Sequence, residues 1–309
     1  MDNPIVSSEA PEPPLNRAPI RPRRFGDRAD GRLLRSLNPF YRITPYIMRT
    51  RVDAHDYFTE RVDIGKAESW LRSLRDRGHP GIGYLHLWIA ALVRTMSQKP
   101  RLNRFVAGQR IYARNEITIS LAIKKRLHED SPETTVKLRF DPRATVFDVA
   151  ATLEAALGEN KKEETKNDTD RTARLFMLVP GSALRFLMWV LRSLDYHGLL
   201  PKMLRDASPF HTSAFVTDLG SLGIKPIYHH LYDFGTTSLF IAFGSKEREN
   251  VLASDGTVVE RKFMTVKVVN DERICDGHYY ASAFRYFLGL IRDPALLERP
   301  PLSVTEDAD

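Results

Sequence analysis

Apolar positions along this chain change their spacing several times, and each change predicts a change of element. Alternation in "DAHDYFTERVDI" predicts a strand ending at Ile64, because successive side chains of a strand point to opposite faces. Next, Ala67, Trp70, Leu71 and Leu74 recur at helical spacing, with Gly78 as the stop. A second helix is predicted in "YLHLWIAALVRTMSQKP", where apolar residues surround nearly the whole circumference, as burial on several sides requires, before Pro100 closes it. "RIYARNEITISLAIKKRL" predicts two strands joined by a polar turn at Arg114 and Asn115, with Ile117, Ile119, Leu121 and Ile123 sharing one face.

A further strand, "TTVKLRF", leads into a helix that begins beside Pro142 and dissolves into the charged tract "GENKKEETKND", predicted to be a solvated loop. Strands are then predicted in "SAFVTDLGSLG", "SLFIAFG", "TVVERK" and "FMTVKVVND", the last two as separate neighbours preceded by a turn at Asp255-Gly256. A closing helix, "YYASAFRYFLGLIRD", ends ahead of Pro294. Strands and helices mix without a regular βαβ rhythm or an internal repeat, which predicts a mixed α+β or mixed α/β fold with one large sheet. The expected organisation is a disordered basic, proline-rich arm over 1–32, one domain over 33–298, and a disordered tail over 299–309.

One stretch, "LFMLVPGSALRFLMWVLRSLDYHGLL" at 175–200, carries Leu184, Leu187, Met188, Leu191 and Leu194 at helical spacing and is expected to be buried or to face a partner. Pro180, Gly181, Arg185, Arg192 and Asp195 interrupt it too often for a membrane span. Peripheral membrane contact, with its arginines at the headgroups, is the other reading.

Composition narrows the partners. With 309 residues and 42% hydrophobic content the chain can bury a substantial core. Its net charge of +7 suits anionic partners. No aromatic-interleaved basic stripe or zinc spacing argues for nucleic acid or a metal. The lone Cys275 excludes an internal disulfide, and no apolar leader opens the chain, so a cytoplasmic location is expected. "DLGSLG" has neither a Walker lysine nor Rossmann spacing.

Four stretches in order carry a resemblance: "KPRLNRF" after the buried helix, "EITISLAI", "FVTDLGSLG", and "DERICDG" before an aromatic helix. Across 33–298 the chain resembles the catalytic domain of the 2-oxoacid dehydrogenase acyltransferases, the dihydrolipoamide acyltransferase cores, within the wider chloramphenicol acetyltransferase superfamily. The resemblance implies a mixed sheet flanked by helices, homotrimers with the active site between subunits, and a tunnel for coenzyme A, with acyl-CoA as the substrate. In that family a histidine in the last motif removes the proton from a thiol or hydroxyl, and a hydroxyl in a Phe-Thr-Ile-Ser-Asn-Leu-Gly stretch stabilises the tetrahedral oxyanion. Laid on this chain, the hydroxyl falls on Thr217, the motif aspartate on Asp276 and the histidine on Glu272, with Arg273 and Gly277 completing the motif. No lipoyl domain or small subunit-binding domain is expected ahead of the core, and membership of a dehydrogenase complex stays open.

Glutamate in that seat changes the chemistry. A free glutamate has a pKa of about 4.3 against about 6.5 for histidine, so it is the poorer acceptor of a thiol proton by roughly 3 kcal/mol. Burial among Tyr279, Tyr280 and Phe284 could raise it. Otherwise Glu272 forms a salt bridge with Arg273 or another arginine. Asp276, by the resemblance, pairs with an arginine, and Gly277 is expected to permit tight backbone before the helix. His229 and His230 in "YHHLYDFG" are alternative bases, while His278 is expected to point away and Cys275 to be a small buried hydrophobe. Two functions stay open: a coenzyme A-dependent acyltransferase acting on a thiol, hydroxyl or amine acceptor, and an inactive homologue that binds acyl-CoA or serves as a scaffold.

Overall fold

A computed structural model describes residues 22–124, 133–163 and 179–308. Its central sheet takes β2 (His55–Asp63), β5 (Ile117–Lys124), β6 (Glu133–Phe140), β7 (Ala214–Asp218), β8 (Leu239–Leu252) and β9 (Val258–Asp271) in the order β2-β9-β8-β7-β5-β6. β7 runs parallel to both its neighbours, and every other pairing is antiparallel. A smaller sheet of β1 (Gly31–Leu33), β3 (Arg104–Ala107) and β4 (Arg110–Arg114) has the order β1-β4-β3. The helices are α1 (Pro39–Ile47), α2 (Gly65–Asp76), α3 (Tyr84–Gln98), α4 (Val146–Glu163), α5 (Gly181–Tyr196), α6 (Lys202–Ala207) and α7 (Gly277–Arg292).

Period-2 alternation decides what each sheet face meets. Ile119, Leu121, Val216, Ile241, Phe243, Val266 and Val268 join residues of α2, α3, α4 and α7 in one core. Helix α3 is central to it, being buried continuously from Leu87 to Ser97, with Trp88 stacked on Phe243 at 5.4 Å and 18°. Such a side chain contributes about 1.5–3 kcal/mol by burial. The opposite face carries Phe215, Phe240 and Val269, which pack with Leu231 and Phe210 beneath irregular chain rather than helices.

Most of the predicted elements form, with three differences. The predicted strands "TVVERK" and "FMTVKVVND" are one strand, β9, folded back on β8 from Leu239↔Asn270 to Leu252↔Val258. The strands on either side of Arg114 and Asn115 belong to different sheets, so the polar turn is a crossing point and not a hairpin. Helix α5 is not buried: Phe186, Leu187, Met188 and Trp189 are all exposed. No described helix is long and apolar enough to cross a membrane. Much of the charged tract lies outside the described residues.

The ends also differ from the expected disordered arm and tail. Residues 1–21 lie outside the described residues, but Arg28 is buried and donates to Asp195 at 2.7 Å, so packing starts before Leu33. At the other end Asp307 receives two hydrogen bonds of 2.6 Å from Arg104, both side chains being about 95% covered, at 4% and 5% exposure. Thr305 also donates its backbone N–H to Ser97 at 2.9 Å. Removing one member of a buried pair strands the other charge. Asp307→Ala is therefore expected to lower unfolding free energy by about 3–5 kcal/mol in a urea titration, whereas a free tail would leave the midpoint unchanged.

Candidate functional site

Two clusters of polar side chains stand apart, one part-way along the sheet at the level of Thr217 and the other where β9 ends. The first is on the sheet face away from the main core. Thr217 of β7 pairs with Ala242 of β8, which pairs with Lys267 of β9, which pairs with Thr59 of β2. These four residues therefore form a row on one face. Thr217 is 8% exposed, and its hydroxyl makes no hydrogen bond among the described residues. Tyr228 roofs the row: its hydroxyl lies 2.7 Å from that of Thr59, and the ammonium of Lys267 sits 4.5 Å from its ring centre. His229 lies flat on Phe240, at 4.3 Å and 11°, one step along this face from Thr217.

The turn after Thr217 is built from its own sequence. Asp218 accepts the backbone N–H of Ser221 at 3.0 Å, and Ser221 donates its hydroxyl to the carbonyl of Asp218 at 2.8 Å. A Cβ on Gly220 would stand 2.6 Å from the carbonyl oxygen of Gly244, so "DLGSLG" is a tight turn against β8. Burial raises the carboxyl pKa of Asp218.

The second cluster stands where β9 ends. Asp271 is fully buried and accepts both sides of the Arg273 guanidinium at 2.7 Å, while Arg51 Nε stands 3.5 Å away. Arg273 also donates to the carbonyl of Met48 at 2.9 Å. Arg273 is thus committed to Asp271, and the expected salt bridge to Glu272 does not form. Glu272 is exposed and has no hydrogen bond or ion pair among the described residues. Partial burial, then the like charges of Asp56 and Asp271, push its carboxyl above the ordinary glutamate value.

Asp276 caps α7 by accepting the N–H of Tyr279 at 2.8 Å, with Tyr41 Oη at 3.3 Å and Arg101 at 3.5 Å. The Tyr279 bond outweighs a modest burial cost and holds its carboxyl below the usual range. Gly277 is not sterically demanded, since a Cβ there would meet nothing within 4 Å and its φ is not positive. Tyr280 and Phe284 pack on Phe58 and the core, so they build no apolar pocket around Glu272.

Sequence reasoning missed His55 and Lys267. His55 is the cross-strand partner of Asp271. Its Nε2 accepts the N–H of Leu231 at 3.3 Å, which leaves the proton on Nδ1 to be donated to Tyr57 Oη at 2.9 Å. Desolvation lowers its pKa, so it is neutral at pH 7. With both nitrogens engaged it ties the 226–235 segment to β2 and is not a spare base. His230 is exposed and stands close enough to His55 to lower its pKa. The signal for Lys267 was a lone ammonium on the face opposite Val266 and Val268.

Within one chain Glu272 and Thr217 do not meet. Glu272 lies five residues beyond Lys267 and two strands from Thr217, a separation of roughly 19 Å by strand geometry. Among the described residues no group of acidic, His or Cys side chains could hold a metal.

This architecture, a six-stranded mixed sheet flanked by helices, is the chloramphenicol acetyltransferase-like fold. Solved structures that share it include a probable dihydrolipoamide acetyltransferase from Listeria monocytogenes, 14% identical over 84% of this chain and 94% of that one, with a TM-score of 0.54. A truncated catalytic core of the 2-oxoacid dehydrogenase multienzyme complex from Thermoplasma acidophilum is 14% identical over 84% and 98%, at 0.52. A chloramphenicol acetyltransferase is 12% identical over 85% and 98%, at 0.50. No protein-family model and no curated protein matches the chain in sequence.

Cys275 is 3% exposed, and burial pushes its thiol up to about 12. It is therefore protonated and sheltered at neutral pH, unfit as a nucleophile. Ellman's reagent at pH 8 is expected to leave it unmodified in the native protein and to react at once in 6 M guanidinium; prompt native reaction would contradict this placement.

Proposed function

We propose that the chain transfers an acyl group between coenzyme A and a thiol, hydroxyl or amine acceptor, in a site completed by a second copy of itself. The observation that carries this reading is the Thr217 hydroxyl, nearly buried and making no bond, on a sheet face that it shares with Lys267. A preorganised donor in a water-poor site is what a developing oxyanion requires, and such a donor lowers the barrier by about 2.7–4 kcal/mol. Lys267 adds positive charge on the same face.

The base must come from elsewhere. Glu272 is unpaired, its pKa is raised, and it stands beyond the end of β9, apart from Thr217 of its own chain. An adjoining copy in a homotrimer is what would bring a Glu272 to each Thr217, and His230, also exposed, is the other candidate base. Asp276 and Arg273 hold the loop and do not exchange protons. The second reading, an acyl-CoA-binding protein without turnover, is favoured by one feature: nothing orients the Glu272 carboxylate.

Acyl-CoA turnover by the purified chain distinguishes them. For the enzyme, Thr217→Ala is expected to lower kcat about 100- to 1,000-fold, and Glu272→Gln to abolish the titration of rate with pH. The wild-type rate should fall as pH drops through a value above the ordinary glutamate pKa, because the base works only when ionised. Equal mixtures of Thr217→Ala and Glu272→Gln chains, refolded together, should recover about a quarter of wild-type activity, since a site drawing one residue from each of two copies is intact one time in four. Tight acyl-CoA binding with no turnover, together with new turnover in Glu272→His, would establish the binding protein instead.

A further inference from the structure

A cavity of about 260 Å³ opens on the side of the Asp271 cluster reached by the end of α5 and the turn between β3 and β4. Four arginines, Arg49, Arg51, Arg192 and Arg273, line it against two aspartates, Asp195 and Asp233. Both aspartates are already engaged. Asp195 faces Arg28 at 2.7 Å and His211 at 3.2 Å, and Asp233 accepts the backbone N–H of Arg51 at 2.8 Å.

The arginines are less well served. Arg51 and Arg273, 4% and 3% exposed, flank the carboxylate of Asp271, and Asp233 also acts on Arg51. Their remaining bonds go to carbonyls: Arg51 to Tyr232 at 2.7 Å and Val106 at 3.2 Å, Arg273 to Met48. Carbonyls satisfy donors but do not cancel charge. At the mouth, Arg49 and Arg192 are exposed and have no hydrogen bond or ion pair among the described residues. Asp271 and Asp233 balance the two buried guanidiniums, so the surplus positive charge of the cavity lies at its mouth, on Arg49 and Arg192.

Its walls are fixed. Gly108 approaches α5 so closely that a Cβ would stand 2.5 Å from the carbonyl oxygen of Tyr196. Tyr196 Oη donates to Gln109 Oε1 at 2.9 Å. Arg192 is thus carried on a helix end pinned to the β3–β4 turn and, through Asp195, to Arg28. A site assembled in advance loses less entropy on binding.

We propose that this cavity binds an oxyanion, a phosphoryl or carboxylate group of a small ligand, with Arg49 and Arg192 closing on it in front of the buried guanidiniums. Guanidinium forks match both groups in shape as well as charge. The proposal stands whether or not the chain transfers acyl groups.

Calorimetric titration of the full chain with inorganic phosphate, pyrophosphate and succinate, at ionic strength held constant with potassium chloride, tests it. Saturable binding of at least one probe is expected, and the tighter class identifies the group the site takes. The double variant R49Q/R192Q should bind about tenfold more weakly or worse, with an unchanged urea midpoint because both side chains are exposed. R185Q, which removes an exposed charge from the same helix outside the cavity, should bind like wild type. Absence of saturable binding with all three probes, undiminished binding in R49Q/R192Q, or an equal loss in R185Q would overturn the site. If R49Q/R192Q unfolds, the single variants R49Q and R192Q carry the same test.

Discussion

A carboxylate with no exposure to water, Asp271, is the constraint on which the chain around the end of β9 depends. Burying a charge costs several kcal/mol unless partners surround it, and here Arg273 grips it through two bonds while Arg51 stands alongside. Those guanidiniums in turn hold carbonyls of Met48, Tyr232 and Val106. One buried charge thus fixes the exit of α1, the 226–235 segment, β3 and the end of β9. It also settles the state of the neighbouring residue. Arg273 turns to Asp271 and Met48 rather than to its sequence neighbour, so the Glu272 side chain is left without an ion-pair partner among the described residues.

The fold was largely legible because alternation and helical spacing are local. β2, α2, α3 and α7 follow directly from their apolar positions. The failures have specific causes. β9 was divided because Glu260, Arg261 and Lys262 suspend the alternation where the strand projects beyond the core. There it pairs with β8 through Arg248 and Glu249, without a buried face to show in the pattern. Pairing with a distant strand sustains it. Helix α5 was expected to be buried or to face a partner, and of these the exposed Phe186, Leu187, Met188 and Trp189 exclude burial within this chain, because apolar spacing specifies only that a face wants covering, not that this chain covers it.

Charge was the least legible quantity. A net charge of +7 suggests a basic surface, but Arg28, Arg51, Arg94, Arg104, Arg205 and Arg273 are buried. Arg104 illustrates why composition could not show this: its partner, Asp307, lies in a stretch whose polar residues read as a loose tail. A sequence separation of 203 residues leaves no local signature. The same holds for His55, whose meaning comes from opposition to Asp271 and from the Leu231 N–H, neither of which is near it in sequence.

The candidate residues were legible as motifs but not as a site. Thr217 lies near the C-terminal end of β7, and Glu272 just beyond the C-terminal end of β9. β7 and β8 are parallel to each other, and β9 is antiparallel to β8, so the C-terminal ends of β7 and β9 point in opposite directions. No loop movement short of rebuilding the sheet would bring the two side chains together in one chain. Topology thus turns a question about one glutamate into a question about assembly: any chemistry that uses both residues needs two molecules, and a molecule acting alone keeps the hydroxyl of β7 and the carboxylate beyond β9 apart.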